Sequence, residues 1–374
     1  MPEPISLLAT APSGEPLPDS PEQRFLPDAY RLPDGAQRGA AMEALPPMVF
    51  IEVTNRCNLL CETCPRTYFT REPLRTLTFD EFRRIADQFP KMRRCTLHGI
   101  GEPLLNRELP EMIAYLKQRG VEVLFNSNGT LLTPAWQEAL ARSGLDQFRC
   151  SIDGARPETY AAIRGADLLH KVVAGLTGLA QTKARLGTAT PWVSIWCVAT
   201  RENIVELPEL VRLAARAGVP EVYLQRMVFF AGDAAEQYGM ARHDLAIFDS
   251  ALNQQEAIIA QCEVLSAELG IAFHASGARD LRDSLAAQRP AEAAPWRACM
   301  RPWTTAYVTA NGNCLPCCIS PFSTADYDSL LMGNLFERPF AEIWNDAAYR
   351  TFRTRLLSTE PNHACASCGV MWSL

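Results

Sequence analysis

Three thiols lie within eight residues in Cys57-Asn-Leu-Leu-Cys61-Glu-Thr-Cys64, with no histidine nearby. Thiolate is the soft ligand that iron–sulfur clusters require. A compact loop can wrap three corners of a cubane cluster and leave the fourth iron open to a bound molecule. A structural zinc site would want four protein ligands and a paired knuckle, which this loop alone does not supply. The flanking Asn55, Arg56, Asn58, Glu62 and Arg66 are polar, so the segment reads as an exposed functional loop.

A second group, Cys299, Cys314, Cys317, Cys318, Cys365 and Cys368, places six of the thirteen cysteines near the C-terminus. Asn311-Gly312, between Tyr307-Val-Thr309 and Cys314-Leu-Pro-Cys317, reads as a hairpin turn that brings thiols beside a strand. Four thiolates suit zinc and an iron–sulfur cluster alike, and spacing leaves both open. Cys95, Cys150, Cys197 and Cys262 fall in apolar strands or a helix, where a small buried side chain is the default. Cys197, near the end of its strand, could instead face a barrel interior.

Six short apolar runs supply the scaffold: Met48 to Val53, Arg94 to His98, Val121 to Phe125, Phe148 to Ile152, Trp192 to Val198 and Glu221 to Gln225. Helical periodicity separates them. In Phe79 to Phe89, Thr78 and Glu81 form a capping box, and Glu108 to Arg119 stops at Gly120. Successive strand–helix units predict an α/β fold with a parallel sheet, a partial (β/α)6 TIM-like barrel, whose site gathers at the C-terminal strand ends. Those ends read His98-Gly-Ile-Gly-Glu-Pro103, Asn126-Ser-Asn-Gly129 and Ser151-Ile-Asp-Gly154.

The division expected is a flexible, Pro-rich extension over 1–46, a barrel over 47–240, a helical connection over 241–298 and a cysteine-rich module over 299–374. Ten of the 27 prolines lie in the first 47 residues. A dinucleotide fold is disfavoured, because a cysteine loop and not G-x-G-x-x-G follows the first strand.

With three and then two residues between its cysteines, the first loop resembles that of the radical S-adenosylmethionine (SAM) superfamily. The resemblance implies that Cys57, Cys61 and Cys64 hold a [4Fe–4S] cluster whose open iron is chelated by SAM, which is cleaved to a 5′-deoxyadenosyl radical. It also implies a cofactor cradle from Gly99, Gly101, Glu102, Asn128, Ser151, Asp153 and Arg164, with Glu102 toward the methionine amine and Arg164 toward its carboxylate. The C-terminal pattern resembles the SPASM extension in its shorter Twitch form. That implies one auxiliary [4Fe–4S] cluster on Cys299, Cys317, Cys365 and Cys368. Cys314 and Cys318 remain as alternative ligands or hydrogen donors to a substrate radical, and are counted with Cys197 as candidate catalytic thiols.

A net charge of -6 without a Lys/Arg run argues against nucleic acid, and no stretch approaches 18 apolar residues, which argues against a membrane span. Thirteen cysteines without a signal peptide fit a reducing, cytoplasmic setting. The expected function is hydrogen abstraction from a small molecule such as a sugar, aminocyclitol or nucleoside, fed by an electron donor such as flavodoxin or ferredoxin. Modification of a ribosomally made peptide is the alternative, and a zinc-stabilised binding protein the alternative from another class. Specificity candidates near strand ends are Arg201, Gln225, Arg226, Tyr238 and His243.

Overall fold

The structure is a computed structural model, and it describes residues 37–227, 252–275, 295–323, 326–366 and 368. Seven strands run parallel: β1 (Met48–Ile51), β2 (Arg94–Thr96), β3 (Glu122–Ser127), β4 (Gln147–Ser151), β5 (Trp192–Ala199), β6 (Glu221–Arg226) and β7 (Ala272–Ala275). On the far side of β1, β8 (Thr305–Val308) adds a further parallel strand, and β9 (Asn313–Leu315) and β10 (Gly333–Asn334) continue antiparallel. The order β10-β9-β8-β1-β2-β3-β4-β5-β6-β7 is that of an open, barrel-like sheet.

The six expected strands are all present. β7 is an addition, since four residues after Gly270 are too few to show a period. The C-terminal hairpin also forms around Asn311-Gly312, but β8 extends the main sheet through β1. Helices α1 (Phe79–Ala86), α2 (Leu109–Gln118), α3 (Pro134–Arg142), α4 (Pro157–Arg164), α5 (Leu169–Leu186), α6 (Leu207–Ala217) and α7 (Leu252–Leu269) cover the outside. The Thr78 side chain accepts from the Glu81 N–H while Glu81 reaches back to Thr78, which is the capping box read from the sequence.

Strand alternation sorts the two faces of the sheet. Phe148 and Cys150 on β4, and Ile195 and Cys197 on β5, are buried under the helices. Arg149, Ser151 and Trp196, on the other face, are only half-buried. A TIM barrel normally packs that inner face shut; here Arg149, Ser151 and Trp196 are left only partly covered.

The short helix α8 (Arg301–Thr304) leads into β8, and α9 (Phe340–Ile343), α10 (Ala347–Leu357) and α11 (His363–Ala366) follow β10. Residues 39–44 are tied down against this region. Trp303 Nε1 donates to the Gly39 carbonyl at 2.8 Å, Arg353 to Ala40 at 3.1 Å and Trp344 to Ala44 at 3.0 Å. Asn345 both donates to and accepts from the Met42 backbone, at 2.7 and 2.8 Å.

Candidate functional site

The thiol loop leaves β1 and is shaped by one side chain. Arg66 donates to the carbonyls of Asn55 at 3.0 Å, Cys57 at 3.2 Å and Leu59 at 3.4 Å, so a single guanidinium gathers carbonyls that point inward. Thr67 Oγ1 donates to the Cys61 carbonyl at 2.8 Å. From the outside, the loop leans on the C-terminal turn of α4: Glu62 N–H donates to the Ile163 carbonyl at 2.9 Å. Gly165 there has φ +77°, and a Cβ on it would stand 2.6 Å from the Leu60 carbonyl oxygen, so only glycine allows this approach.

All three thiols are half-buried. Burial pushes the Cys64 thiol up to about 12 and raises Cys57 as well. Thiolates in this loop at neutral pH therefore need a bound cation, which is the condition a metal cluster meets.

Two polar side chains turn toward the sulfurs, one from the end of β3 and one from the last turn of α4. Asn128 Nδ2 lies 3.9 Å from Cys57 Sγ and donates to Asn58 Oδ1 at 2.9 Å, and Asn58 in turn donates to Thr130 at 2.8 Å. Arg164 Nη1 stands 4.0 Å from Cys61 Sγ, and its Nη2 pairs with Asp153 at 2.6 Å. Arg164 Nε is buried with no partner among the described residues. An orphaned guanidinium donor beside the thiol loop fits an anionic group such as the carboxylate of an amino-acid-like cofactor.

The other cradle residues divide between framework and open surface. Glu102 is buried and accepts from Ser127 Oγ at 2.7 Å, Asn128 N–H at 2.7 Å and Leu104 N–H at 3.0 Å. Desolvation raises its pKa, and these bonds hold it back. It thus sets the end of β3 and the position of Asn128. Asp153 accepts from the Val198 N–H at 2.8 Å and pairs with Arg164, so its role is to aim the guanidinium.

Gly101 packs on the root of the thiol loop. A Cβ there would meet the Thr54 carbonyl oxygen at 2.0 Å, and at Gly99 it would meet Glu52 and Tyr307. These two glycines permit strand-to-loop packing beneath the cradle. Ser151 ends β4 on the open inner face, opposite Trp196.

The second thiol group sits below β8. Burial pushes the Cys317 thiol up to about 11, with Cys318 and then Cys299 adding to it, and burial raises Cys365, to which Cys317, Cys368 and Cys299 add. Cys318 lies beside Cys299 and hydrogen-bonds with Arg301. Cys314 departs from the expectation that it could serve this group: it is fully buried on β9 among core residues, next to Tyr349. Cys197 is likewise corrected. Strand parity turns it to the helix side, where Asn203 Nδ2 lies 3.8 Å from its sulfur and Cys262 is a neighbour, so it does not face the barrel interior. Arg201 is exposed after β5, and Gln225 lies near the end of β6. Tyr238 and His243 lie outside the described residues.

Arg66 escaped the sequence reading as a functional part, and so did the pairing of Asp153 with Arg164, although each of the two was expected in the cradle. Arg66 stood out only as a polar flank, and nothing in spacing joins Asp153 to a partner eleven residues on.

Residues 51–183 match the radical SAM superfamily, and residues 299–369 match an iron–sulfur cluster-binding domain, SPASM. The chain is a radical SAM enzyme with a SPASM domain. As such it uses a [4Fe–4S] cluster, auxiliary iron–sulfur chemistry and SAM. Among relatives, it is 26% identical to the AdoMet-dependent heme synthase of Methanosarcina barkeri over 88% of this chain and 89% of that one. It is 25% identical to the PqqA peptide cyclase of Granulibacter bethesdensis over 87% and 82%. It is 32% identical to the mycofactocin maturase MftC of Mycolicibacterium smegmatis over 45% of this chain.

The match spans about half the length of some relatives: 41% of MftC, and 51% of a tungsten-containing aldehyde ferredoxin oxidoreductase cofactor-modifying protein of Pyrococcus furiosus, which is 30% identical over 48% of this chain. Streptococcus suis SuiB bound to precursor peptide SuiA shares the fold, with a TM-score of 0.60 at 16% identity over 88% of this chain and 71% of that one. These findings correct the expected sugar, aminocyclitol or nucleoside substrate. A peptide cyclase matches most of the chain. Among the described residues, no helix is long and apolar enough to cross a membrane.

Proposed function

We propose that this radical SAM enzyme matures a peptide, with Cys57, Cys61 and Cys64 as the three protein ligands of its SAM-binding cluster. When bound, the cluster supplies the electron that cleaves SAM and so the radical that abstracts hydrogen. The chain's own residues do the placing. Arg66 holds three backbone carbonyls of the thiol loop in place. Arg164, aimed by Asp153, offers its buried Nε to the SAM carboxylate, and Asn128, set by Glu102, lies beside the Cys57 sulfur.

In the SPASM region, Cys299, Cys317, Cys365 and Cys368 are the ligand set for one auxiliary cluster, with Cys318 as a fifth thiol held by Arg301. A flavodoxin or ferredoxin in the cytoplasm is the electron source this reading calls for.

The observation that carries the site is the buried, unpartnered Arg164 Nε standing with its fork at the thiol loop. The peptide class rests on the likeness to a peptide cyclase over 87% of this chain and 82% of that one. Anaerobic reconstitution followed by reduction with SAM should give a brown protein that forms 5′-deoxyadenosine, and triple serine replacement of Cys57, Cys61 and Cys64 should abolish both. Incubation with short peptides encoded beside the gene should give a mass change in one of them. Deoxyadenosine formed without any peptide mass change would sink the peptide assignment and leave the cluster assignment standing.

A further inference from the structure

One carboxylate stands between the two thiol groups. Glu72 follows the first thiol loop and accepts four hydrogen bonds from the C-terminal region. Its Oε2 takes Thr309 Oγ1 at 2.8 Å and Asn311 Nδ2 at 2.9 Å, and its Oε1 takes Asn313 Nδ2 and the Tyr327 hydroxyl, both at 2.9 Å. A carboxylate offers about four lone-pair directions, so these neutral donors fill it. The neighbours of Glu72 add to the grip: the Pro73 carbonyl accepts from Asn311 Nδ2 at 2.9 Å, and the Arg75 guanidinium stands 4.9 Å from the Phe336 ring centroid. What this segment holds is the turn between β8 and β9, where Gly312 has φ +83°, and β9 leads directly to Cys317.

On its other side the same segment is fixed to the root of the first thiol loop. Asn55 is buried; its Nδ2 donates to the Pro73 carbonyl at 2.8 Å and its Oδ1 accepts the Arg75 N–H at 2.7 Å. The Asn55 carbonyl accepts in turn from Arg66 Nε at 3.0 Å, and Arg66 also holds the carbonyls of Cys57 and Leu59. A continuous path of covalent and hydrogen bonds therefore runs from the hairpin through Glu72, Asn55 and Arg66 to the thiol loop. Glu52 grips the same hairpin through the Ala310 N–H and the Tyr307 hydroxyl, but it belongs to the end of β1, whereas Glu72 lies on the segment that Asn55 shares with the loop.

We propose that Glu72 is a positioning residue through which the two iron sites support one another. Order in the hairpin, once Cys317 and its partners hold a cluster, passes along this path to the loop of Cys57, Cys61 and Cys64. The two sites then share a coupling free energy, which acts in both directions. This rests on the cluster assignments above and is independent of the peptide.

Glu72→Gln tests it. The substitution keeps the shape but turns one oxygen into an NH2 group, which meets an asparagine NH2 whichever way the amide lies. Four reconstituted full chains are compared: native, Cys365→Ser with Cys368→Ser, Glu72→Gln, and all three changes together. Each is reduced and challenged with a ferrous chelator, and the first cluster is followed by the part of its electron paramagnetic resonance signal that shifts when SAM is added. Emptying the second site should shorten the lifetime of the first cluster about tenfold in the chain with Glu72, within the usual range for coupled sites, and about twofold or less in Glu72→Gln, where the lifetime is already short. A purely local role for Glu72 would make the two effects multiply. Multiplying effects, or a first cluster indifferent to the second site in the chain with Glu72, overturns the proposal.

If the chain lacking Cys365 and Cys368 loses its circular dichroism, the mirror comparison decides. With Cys57, Cys61 and Cys64 replaced by serine, iron in the second site should be lost at the same rate with and without Glu72→Gln, whereas with both sites filled Glu72→Gln should speed that loss about tenfold. An equal acceleration in both backgrounds overturns the proposal. A native chain that takes up no iron would sink the cluster assignments and this coupling with them, whereas two filled sites without coupling would sink the role of Glu72 alone.

Discussion

Asp153 and Arg164 form an ion pair at 2.6 Å that joins the loop after β4 to the last turn of α4, with side chains 3% and 11% exposed. The pair has two consequences, one for stability and one for the cofactor. Removing one partner of a buried pair leaves an uncompensated charge, at a cost of about 3–5 kcal/mol. Asp153→Asn should therefore lower the unfolding free energy of the metal-free chain by that order, read from its denaturant midpoint. It should also weaken SAM binding by about tenfold or more in calorimetry, because the fork that faces Cys61 loses its aim. Unchanged stability together with unchanged SAM affinity would remove Asp153 from the site.

Arg66 carries the geometry of the thiol loop through three carbonyls. Arg66→Ala is expected to leave the sheet folded, since the side chain touches only the loop, but to cut the iron retained by that loop after desalting. Lysine should not restore it, because a point charge on a flexible stem cannot bridge three acceptors in fixed directions. Iron analysis and circular dichroism on the two variants check this. Full iron in Arg66→Ala would mean that the loop is shaped by its backbone alone.

How much of this was legible in the sequence depends on the length scale of each signal. The thiol loop and the six principal strands announce themselves through local spacing, and Met48–Ile51 leading into Cys57 is read from a dozen residues. The corrections at Cys197 and Cys314 come from parity and packing. A shift of one residue along a strand moves a side chain from lumen to helix layer, which an apolar run such as Trp192–Ala199 does not reveal. Pairings across long separations were invisible for the same reason. Arg353 to Ala40, Tyr307 to Glu52 and β8 against β1 each join segments more than 250 residues apart.

Glu52 gives the fold a pH dependence whose sign is fixed. It is buried, and desolvation pushes its pKa from the ordinary 4.5 to about 7, against the bonds it accepts from the Ile100 and Ala310 N–H groups and the Tyr307 hydroxyl. The folded state thus holds the proton more tightly than the unfolded chain does. Its contribution to stability is complete below pH 4.5 and is lost as pH rises through about 7, a change on the order of 3 kcal/mol. Urea midpoints measured across that window should decline for the native sequence and decline less steeply for Glu52→Gln, whose own baseline is lower because the amide offers one acceptor oxygen fewer. Parallel slopes for the two proteins would refute the assignment.

The segment from Gly39 to Ala44 should prove to be a structural part of the SPASM region. Arg353 is fully buried between Trp344 and Tyr349, 4.0 and 4.8 Å from their ring centroids, and it donates to the carbonyls of Pro302, Ala40 and Trp344. Burial lowers its pKa to about 10, and those carbonyls keep the charge solvated. Deleting residues 1–46 removes the Ala40 acceptor along with the partners of Asn345, Trp303 and Trp344, leaving buried donors that cost about 1–3 kcal/mol each. α10, which carries Arg353, leads directly into the turn that holds Cys365, so loosening it should loosen the second thiol group. In a chain with Cys57, Cys61 and Cys64 replaced by serine, remaining iron reports the SPASM site alone. That iron should fall sharply on deletion of 1–46 and partly on Arg353→Lys, and retention of about four irons per chain in the deletion would show that the segment is dispensable to the cluster.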